Sequence, residues 1–281
     1  MILPGCVITC SLFFYIFKEE RQYYIGDRVI EVSLEFIAKD AGKAVSRGDL
    51  VIVVDVLRTT TSIITAISRG ARSIIPTETL REAYQLHSRH PNYLLVGERN
   101  GRRPRGFDFG NSPQELMTKE IRGKDLIITT TNGTRALTGS KQAKWVLSGA
   151  FLNAAAIAKK AVEISGEEQV GASFVLAGEE DRFSLEDFAC AGAIVEGFPK
   201  SDAHLSDETL AAMAVFKQIR SNLCENIARG EHAKRLIELG LGKDIEFSCQ
   251  IDVCDVIPVY ADGRIRRLKN QGQIRLGNSE V

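Results

Sequence analysis

The run Val51-Ile52-Val53-Val54-Asp55-Val56-Leu57-Arg58-Thr59-Thr60-Thr61 constrains this chain more than any other stretch. Its four consecutive β-branched residues read as a strand buried on both faces, the kind found inside parallel sheets. The chain then turns polar, and Ile63, Ile64 and Ile67 recur at helical spacing until Gly70. A buried strand that reaches a helix through an acid, a base and three hydroxyls aims those groups at the crevice where open α/β sheets bind ligands. Asp55 there suits metal binding or attack on an electrophile, and Arg58 suits an anion. Its cation opposes the dipole of the helix it precedes, which argues for recognition rather than stability. The competing reading is a helix cap beside a surface ion pair.

Strand and helix patterns alternate from Arg28 onward. Strands are expected at 29–34, 50–54, 74–75, 93–96, 126–129, 145–147 and 173–177, with helices over 36–45 and 80–87. A long helix is expected over 207–229, stopped by Gly230, and a hairpin over 252–268 turning at Asp262-Gly263. Segments 51–62, 126–136 and 173–190 share one layout of buried strand, polar loop and helix start. Parallel strands put such loops on one rim. Asp55 and Arg58, Thr131 and Asn132, and Glu186 and Asp187 would then converge.

Lys plus Arg equals Asp plus Glu at 36 each, which excludes a protein held on nucleic acid by a basic surplus. The 281 residues suffice for one large domain or two small ones. Six scattered cysteines form no CxxC, so free thiols and a reducing cytoplasm are expected. Cys6–Phe17 is apolar but too short to span a bilayer, and lacks the flanks of a signal peptide. Residues 1–27 therefore read as an extension outside the fold, either translated upstream sequence or a membrane segment, and 28–281 as the folded unit.

Thr129–Thr134 packs hydroxyls, an asparagine and a glycine between a strand and a helix, a loop able to cradle phosphate or sulfonate. No Lys follows the glycine, so it is not a Walker loop, and an ordinary helix cap is the alternative. In Ser184-Leu185-Glu186-Asp187, the serine and aspartate resemble a capping box, which leaves Glu186 for a hard cation such as magnesium. Glu98 and Arg99 follow a buried strand and open a Gly-, Arg- and Pro-rich loop over 97–113, of a length that is usually functional or mobile. Within it, the glycines framing Phe107-Asp108-Phe109 suggest a fixed turn. His87, His90, His204 and His232 show no metal spacing, and Cys190 lies in an apolar helix as a core residue.

Together DVLRTTTSIITA (55–66), GER (97–99), GFDFGNSP (106–113), TTTNGTRAL (129–137) and FSLEDFACAG (183–192) resemble the 2-phosphosulfolactate phosphatase (ComB) family. The blocks run in order between about Arg28 and Arg264. The resemblance implies a magnesium-dependent phosphatase that removes phosphate from 2-phospho-3-sulfolactate, a step toward coenzyme M. It also implies a three-layer α/β/α fold with a largely parallel or mixed sheet, and two strand-helix lobes, divided near 120–150, around a central cleft. Asp55, Glu98, Glu186 and Asp187 are the candidate catalytic and magnesium-binding acids. Arg58, Arg99, Arg105 and Arg135 are candidates to divide the anionic groups of the substrate, with Thr60, Asn111, Thr131, Asn132, Gly133 and Thr134 around them. The expected partner is a small anionic molecule, not nucleic acid or membrane, and homo-oligomerisation stays open. A haloacid-dehalogenase-like phosphatase is set aside because Leu57 stands where that pattern needs a second Asp. A phosphatase of another phosphorylated hydroxy acid, or a non-catalytic protein binding such acids, remains as an alternative.

Overall fold

Each residue of the strand Leu50–Val54 (β2) is at most 1 % exposed, because helices cover both faces of the sheet around it. This computed structural model describes residues 29–268, so the apolar segment over 1–27 lies outside the described residues. Side chains alternate across a strand. Leu50, Ile52 and Val54 enter one core, and Val51 and Val53 the other.

The strands before and after it are β1 (Ile30–Glu35), β3 (Ser73–Thr77), β4 (Leu94–Gly97), β5 (Asp125–Thr129) and β6 (Val146–Gly149). They continue with β7 (Ala172–Leu176), β8 (Ala203–Leu205), β9 (Pro258–Ala261) and β10 (Arg264–Arg267). The helices begin with α1 (Ala41–Arg47), α2 (Thr59–Ser68), α3 (Leu80–Arg89), α4 (Pro113–Thr118) and α5 (Gly133–Gly139). Then come α6 (Ala154–Glu168), α7 (Leu185–Val195), α8 (Asp207–Ile219), α9 (Leu223–Ile227), α10 (Glu231–Glu238) and α11 (Gly242–Ser248).

All ten described strands form one sheet in the order β4-β5-β3-β10-β9-β6-β2-β7-β1-β8. Two parallel halves, β4-β5-β3 and β6-β2-β7-β1-β8, are joined by the hairpin β9-β10. The hairpin turns at Asp262-Gly263 as expected, and its antiparallel strands pair with β6 and β3. The halves are interleaved in sequence, since the chain leaves the larger one after β2 and returns to it at β6. On one face α6, α7 and α8 supply Ile157, Ile194 and Phe216. On the other, α1, α2, α4 and α5 supply Ala44, Ile63, Leu116 and Leu137. The architecture is a three-layer α/β/α fold.

The expected helix over 207–229 is broken. A 3-10 turn over Arg220–Asn222 separates α8 from α9, at a Ser-Asn pair whose side chains compete with helical hydrogen bonds. The expected helix over 36–45 begins as a 3-10 turn, Ala38–Asp40, before α1. Helices α10 and α11 occupy a region for which the sequence pattern set no element. No helix among the described residues is long and apolar enough to cross a membrane.

Candidate active site

Two loops on the sheet rim share one local design. After β2, Thr60 Oγ1 donates to the Asp55 carbonyl (2.8 Å) and accepts from Asp55 N (3.1 Å). After β5, Thr134 Oγ1 donates to the Thr130 carbonyl (2.9 Å) and accepts from Thr130 N (3.3 Å). Each threonine thus closes the turn into its helix, α2 or α5, and both are buried. The expectation that Thr60 and Thr134 touch substrate is corrected: they set the backbone, and neither lines the cleft. Thr59 Oγ1 donates to Thr130 Oγ1 (3.1 Å) and ties the two loops together. A Cβ at Gly133 would stand 2.2 Å from Asp55 Oδ2 and 2.4 Å from Thr59 Oγ1, so only glycine permits this approach.

Asp55 caps α2 by accepting from Thr59 N at its Oδ1 (3.0 Å), while its side chain also lines the cleft. Asp55 thus stabilises the start of α2 and faces the cleft at the same time. Burial, and to a lesser degree the charge of Glu98, push its carboxyl up to about 6 against the hydrogen bonds from Thr59. Glu98 bridges the rim, with Oε1 accepting from Thr131 N (2.7 Å) and Thr131 Oγ1 (2.9 Å) and Oε2 accepting from Gly101 N (2.7 Å).

The other two acids are committed elsewhere. Asp187 accepts from Val56 N (2.8 Å) and Gly178 N (3.2 Å), and Ser184 caps α7 through the Asp187 amide (3.4 Å). It joins the loops after β2 and β7 from behind, and burial with the nearby charges of Asp55 and Glu186 raises its carboxyl well above the usual range. Glu186, with a side chain 2 % exposed, pairs through Oε1 with His232 Nδ1 at 2.8 Å. The expected four-acid magnesium set is therefore not assembled. Among the described residues, no group of three or more His, Cys, Asp or Glu side chains is placed to hold a metal ion.

The arginines divide as sharply. Arg58 lines the cleft, but its guanidinium is 3 % exposed and donates to Asp244 Oδ2 (2.8 Å) and the Gly101 carbonyl (3.0 Å). Asp244 in turn accepts from Ser112 Oγ (2.6 Å). Arg58 thus has the structural role that its position before α2 argued against. Arg99 is turned away, donating to the Glu98 and Glu78 carbonyls and to Thr129 Oγ1. Arg105 is exposed and outside the cleft, and Arg135 pairs with Asp181 at 3.5 Å without lining it. Asn111, Thr131 and Asn132 do line it. The loop carrying Asn111 is fixed, as its glycines suggested, with Phe107 buried and Asp108 Oδ2 accepting from Leu95 N (2.7 Å).

Among the cleft residues outside the sequence-based set are Glu179, His232 and Arg235. Glu179 accepts from Asn132 Nδ2 (3.1 Å) and from Arg235 (2.6 Å), joining the rims of both half-sheets to α10. His232 and Arg235, one turn apart on α10, face the same cleft. Burial works against a charged imidazole, but the hydrogen bond and charge of Glu186, then Glu179 and Asp55, outweigh it and raise His232 to about 9. The signal lies in the amphipathic pattern Glu231–Glu238 after Gly230, since metal spacing alone does not single out His232.

The donor set facing the cleft still suits a hard cation held partly by ligand. Asp55 and Glu98 are carboxylates, and Asn111 Oδ1 is buried with no hydrogen-bond partner among the described residues. Two carboxylates with water and phosphate oxygens are a usual magnesium set. The cleft is also rich in acid: Asp55, Glu98, Glu179 and Glu180 face Arg58, His232 and Arg235, four acids to three bases.

A parallel-sheet rim that gathers acids, hydroxyls and arginine in one cleft is where open α/β sheets bind small molecules. Residues 36–263 match the family model described as 2-phosphosulpholactate phosphatase. A Thermotoga petrophila protein named "probable 2-phosphosulfolactate phosphatase" is 39 % identical over 212 residues, covering 75 % of this chain and 89 % of the relative. A Clostridium acetobutylicum protein of the same name is 35 % identical over 239 residues, covering 84 % of this chain and 100 % of the relative. The chain belongs to the 2-phosphosulfolactate phosphatase family, and with it to the phosphoric monoester hydrolases.

Proposed function

We propose that this chain hydrolyses 2-phospho-3-sulfolactate to 3-sulfolactate and inorganic phosphate, with magnesium held by Asp55 and Glu98. The observation that carries the reading is the meeting of Asp55, Glu98 and Arg58 in one cleft, from two loops of a single sheet rim. The substrate brings phosphate, sulfonate and carboxylate into a cleft that already has four acids to three bases, so a divalent cation is needed to balance the charge. When bound, magnesium supplies positive charge to the phosphate oxygens and acidifies a bound water. Arg58, fixed by Asp244 and the Gly101 carbonyl, presents a planar cation to phosphate without a reorganisation cost. Glu98 holds the Thr131 amide and hydroxyl in place, so the loop beside it keeps its shape as the substrate enters. Arg235 and His232 give the far side of the cleft its positive charge. On this reading the reaction is a cytoplasmic step toward coenzyme M. The free thiols of Cys190, Cys224, Cys249 and Cys254 support a reducing compartment.

Phosphate release from 2-phosphosulfolactate, 2-phospholactate and phosphoglycolate tests the reading. The sulfonated ester is expected to show the highest kcat/KM, with activity lost in EDTA and restored by magnesium. Full activity in metal-stripped protein removes the cation from the reading. Binding of these acids without release of phosphate makes the chain a binding protein instead.

A further inference from the structure

His232 has a buried carboxylate behind it and the cleft in front. Its Nδ1 lies 2.8 Å from Glu186 Oε1, whose side chain is 2 % exposed at the start of α7. Its Nε2 lies 3.7 Å from Glu179 Oε2, an ion-pair distance too long for a hydrogen bond. The Glu186 bond therefore fixes the ring orientation and leaves Nε2 on the side of Glu179, which lines the cleft together with Asp55 and Glu98. We propose that His232 donates a proton to the leaving oxygen of the phosphate ester, with Glu186 as the positioning residue that holds the imidazole. This rests on the phosphatase reading above, and it adds a residue absent from the acids and arginines considered so far.

The chemistry requires such a donor. An aliphatic alkoxide is a poor leaving group, and protonating it as it departs is general-acid catalysis. The bond from phosphorus to the substrate C2 oxygen breaks with its electron pair on that oxygen. The oxygen takes the Nε2 proton and departs as the hydroxyl of sulfolactate. The oxygen of the attacking water bonds to phosphorus and its proton passes to solvent, from which a proton returns to the imidazole. The charged groups around His232 are Glu186 on α7, Glu179 after β7, Asp55 after β2 and Arg235 on its own helix, with Arg182, Arg229 and Glu231 around a second cavity that His232 also lines. The acids among them favour the charged ring, which at about 9 is protonated at neutral pH.

The test compares esters that do and do not need a proton donor. In His232→Gln, kcat on 2-phosphosulfolactate is expected to fall by about 10²–10⁴-fold. On p-nitrophenyl phosphate, whose phenolate departs unaided, the loss is expected to stay below about tenfold. Equal losses on both esters, or no loss on either, overturn the proposal. Glu186→Gln keeps an acceptor for Nδ1 and removes the charge, so the alkaline limb of the kcat profile should move to lower pH with the melting temperature little changed. An unmoved limb in a folded variant removes Glu186 from the role. Nitrogen-15 NMR of the wild-type holoenzyme needs no substrate: both ring nitrogens of His232 should carry protons near neutral pH, and a neutral ring there refutes the proposal for any ester. Absence of release from 2-phosphosulfolactate by the wild type overturns the substrate reading instead, and the leaving-group comparison then uses the alkyl phosphate that the enzyme does hydrolyse.

Discussion

At Arg58 a single buried guanidinium holds the mouth of the cleft together. The pair with Asp244 spans 2.8 Å with both side chains 3 % exposed, and removing one partner of such a pair strands the other charge. Arg58→Gln is expected to lower stability by about 3–5 kcal/mol in urea unfolding. Arg58→Lys keeps the charge but loses the planar fork, so it should cost less stability while kcat/KM falls by about 10–100-fold. Unchanged unfolding of the glutamine variant would mean that Asp244 is solvated or protonated and that Arg58 is free for substrate. Asp55 behaves in the opposite way. Its carboxyl is raised to about 6, so above that pH the folded state carries a charge that burial disfavours. Asp55→Asn removes that charge in a nearly isosteric side chain. It should lose about a hundredfold or more in kcat while melting at the same temperature or higher near neutral pH. A variant that keeps its turnover would reduce Asp55 to the cap of α2.

Elements place these residues by very close approach. The first turn of α5 lies against Asp55 because position 133 carries no side chain. Gly133→Ala should displace Asp55 and Thr59 and cut kcat by about tenfold or more, although alanine is the better helix former. Circular dichroism should show the helix content intact; full activity in that variant would mean that the contact relaxes without effect. The turns themselves follow a local rule, since Thr60 and Thr134 make equivalent bonds to the residue just past the preceding strand. Local rules do not reach α10. Its histidine acquires meaning only because α7 brings Glu186, 46 positions earlier in the chain, to within 2.8 Å.

On the scale of the whole molecule, the hairpin β9-β10 makes two parallel half-sheets into one. Ile265, fully buried, pairs with Ile74 of β3 and Tyr260 of β9 at that seam. Ile265→Ala is expected to cost about 2–5 kcal/mol, as a large-to-small change in a packed core, and to lower the melting temperature. Two separate calorimetric transitions in the variant would show that the seam couples the halves, and an unchanged melting temperature would show that it does not. The period of the apolar residues was enough to reveal β2, β5 and β7, their following helices and the hairpin, because burial on both faces and turn chemistry are written within a few neighbouring residues. The same reasoning reached Asp55, Glu98, Thr131 and Asn132, since a polar residue just past a buried parallel strand has only the rim to occupy; Asn111, far from any strand end, came only with the family motif over 106–113. Which oxygens stay available was decided by tertiary structure alone. Asp187 is taken by the Val56 and Gly178 amides and Glu186 by His232, the donors of Arg99 are turned to carbonyls, and Arg58 is held in place by Asp244. Those partners lie up to 186 positions apart, and a side chain's charge and direction depend on whichever distant group folding brings to it.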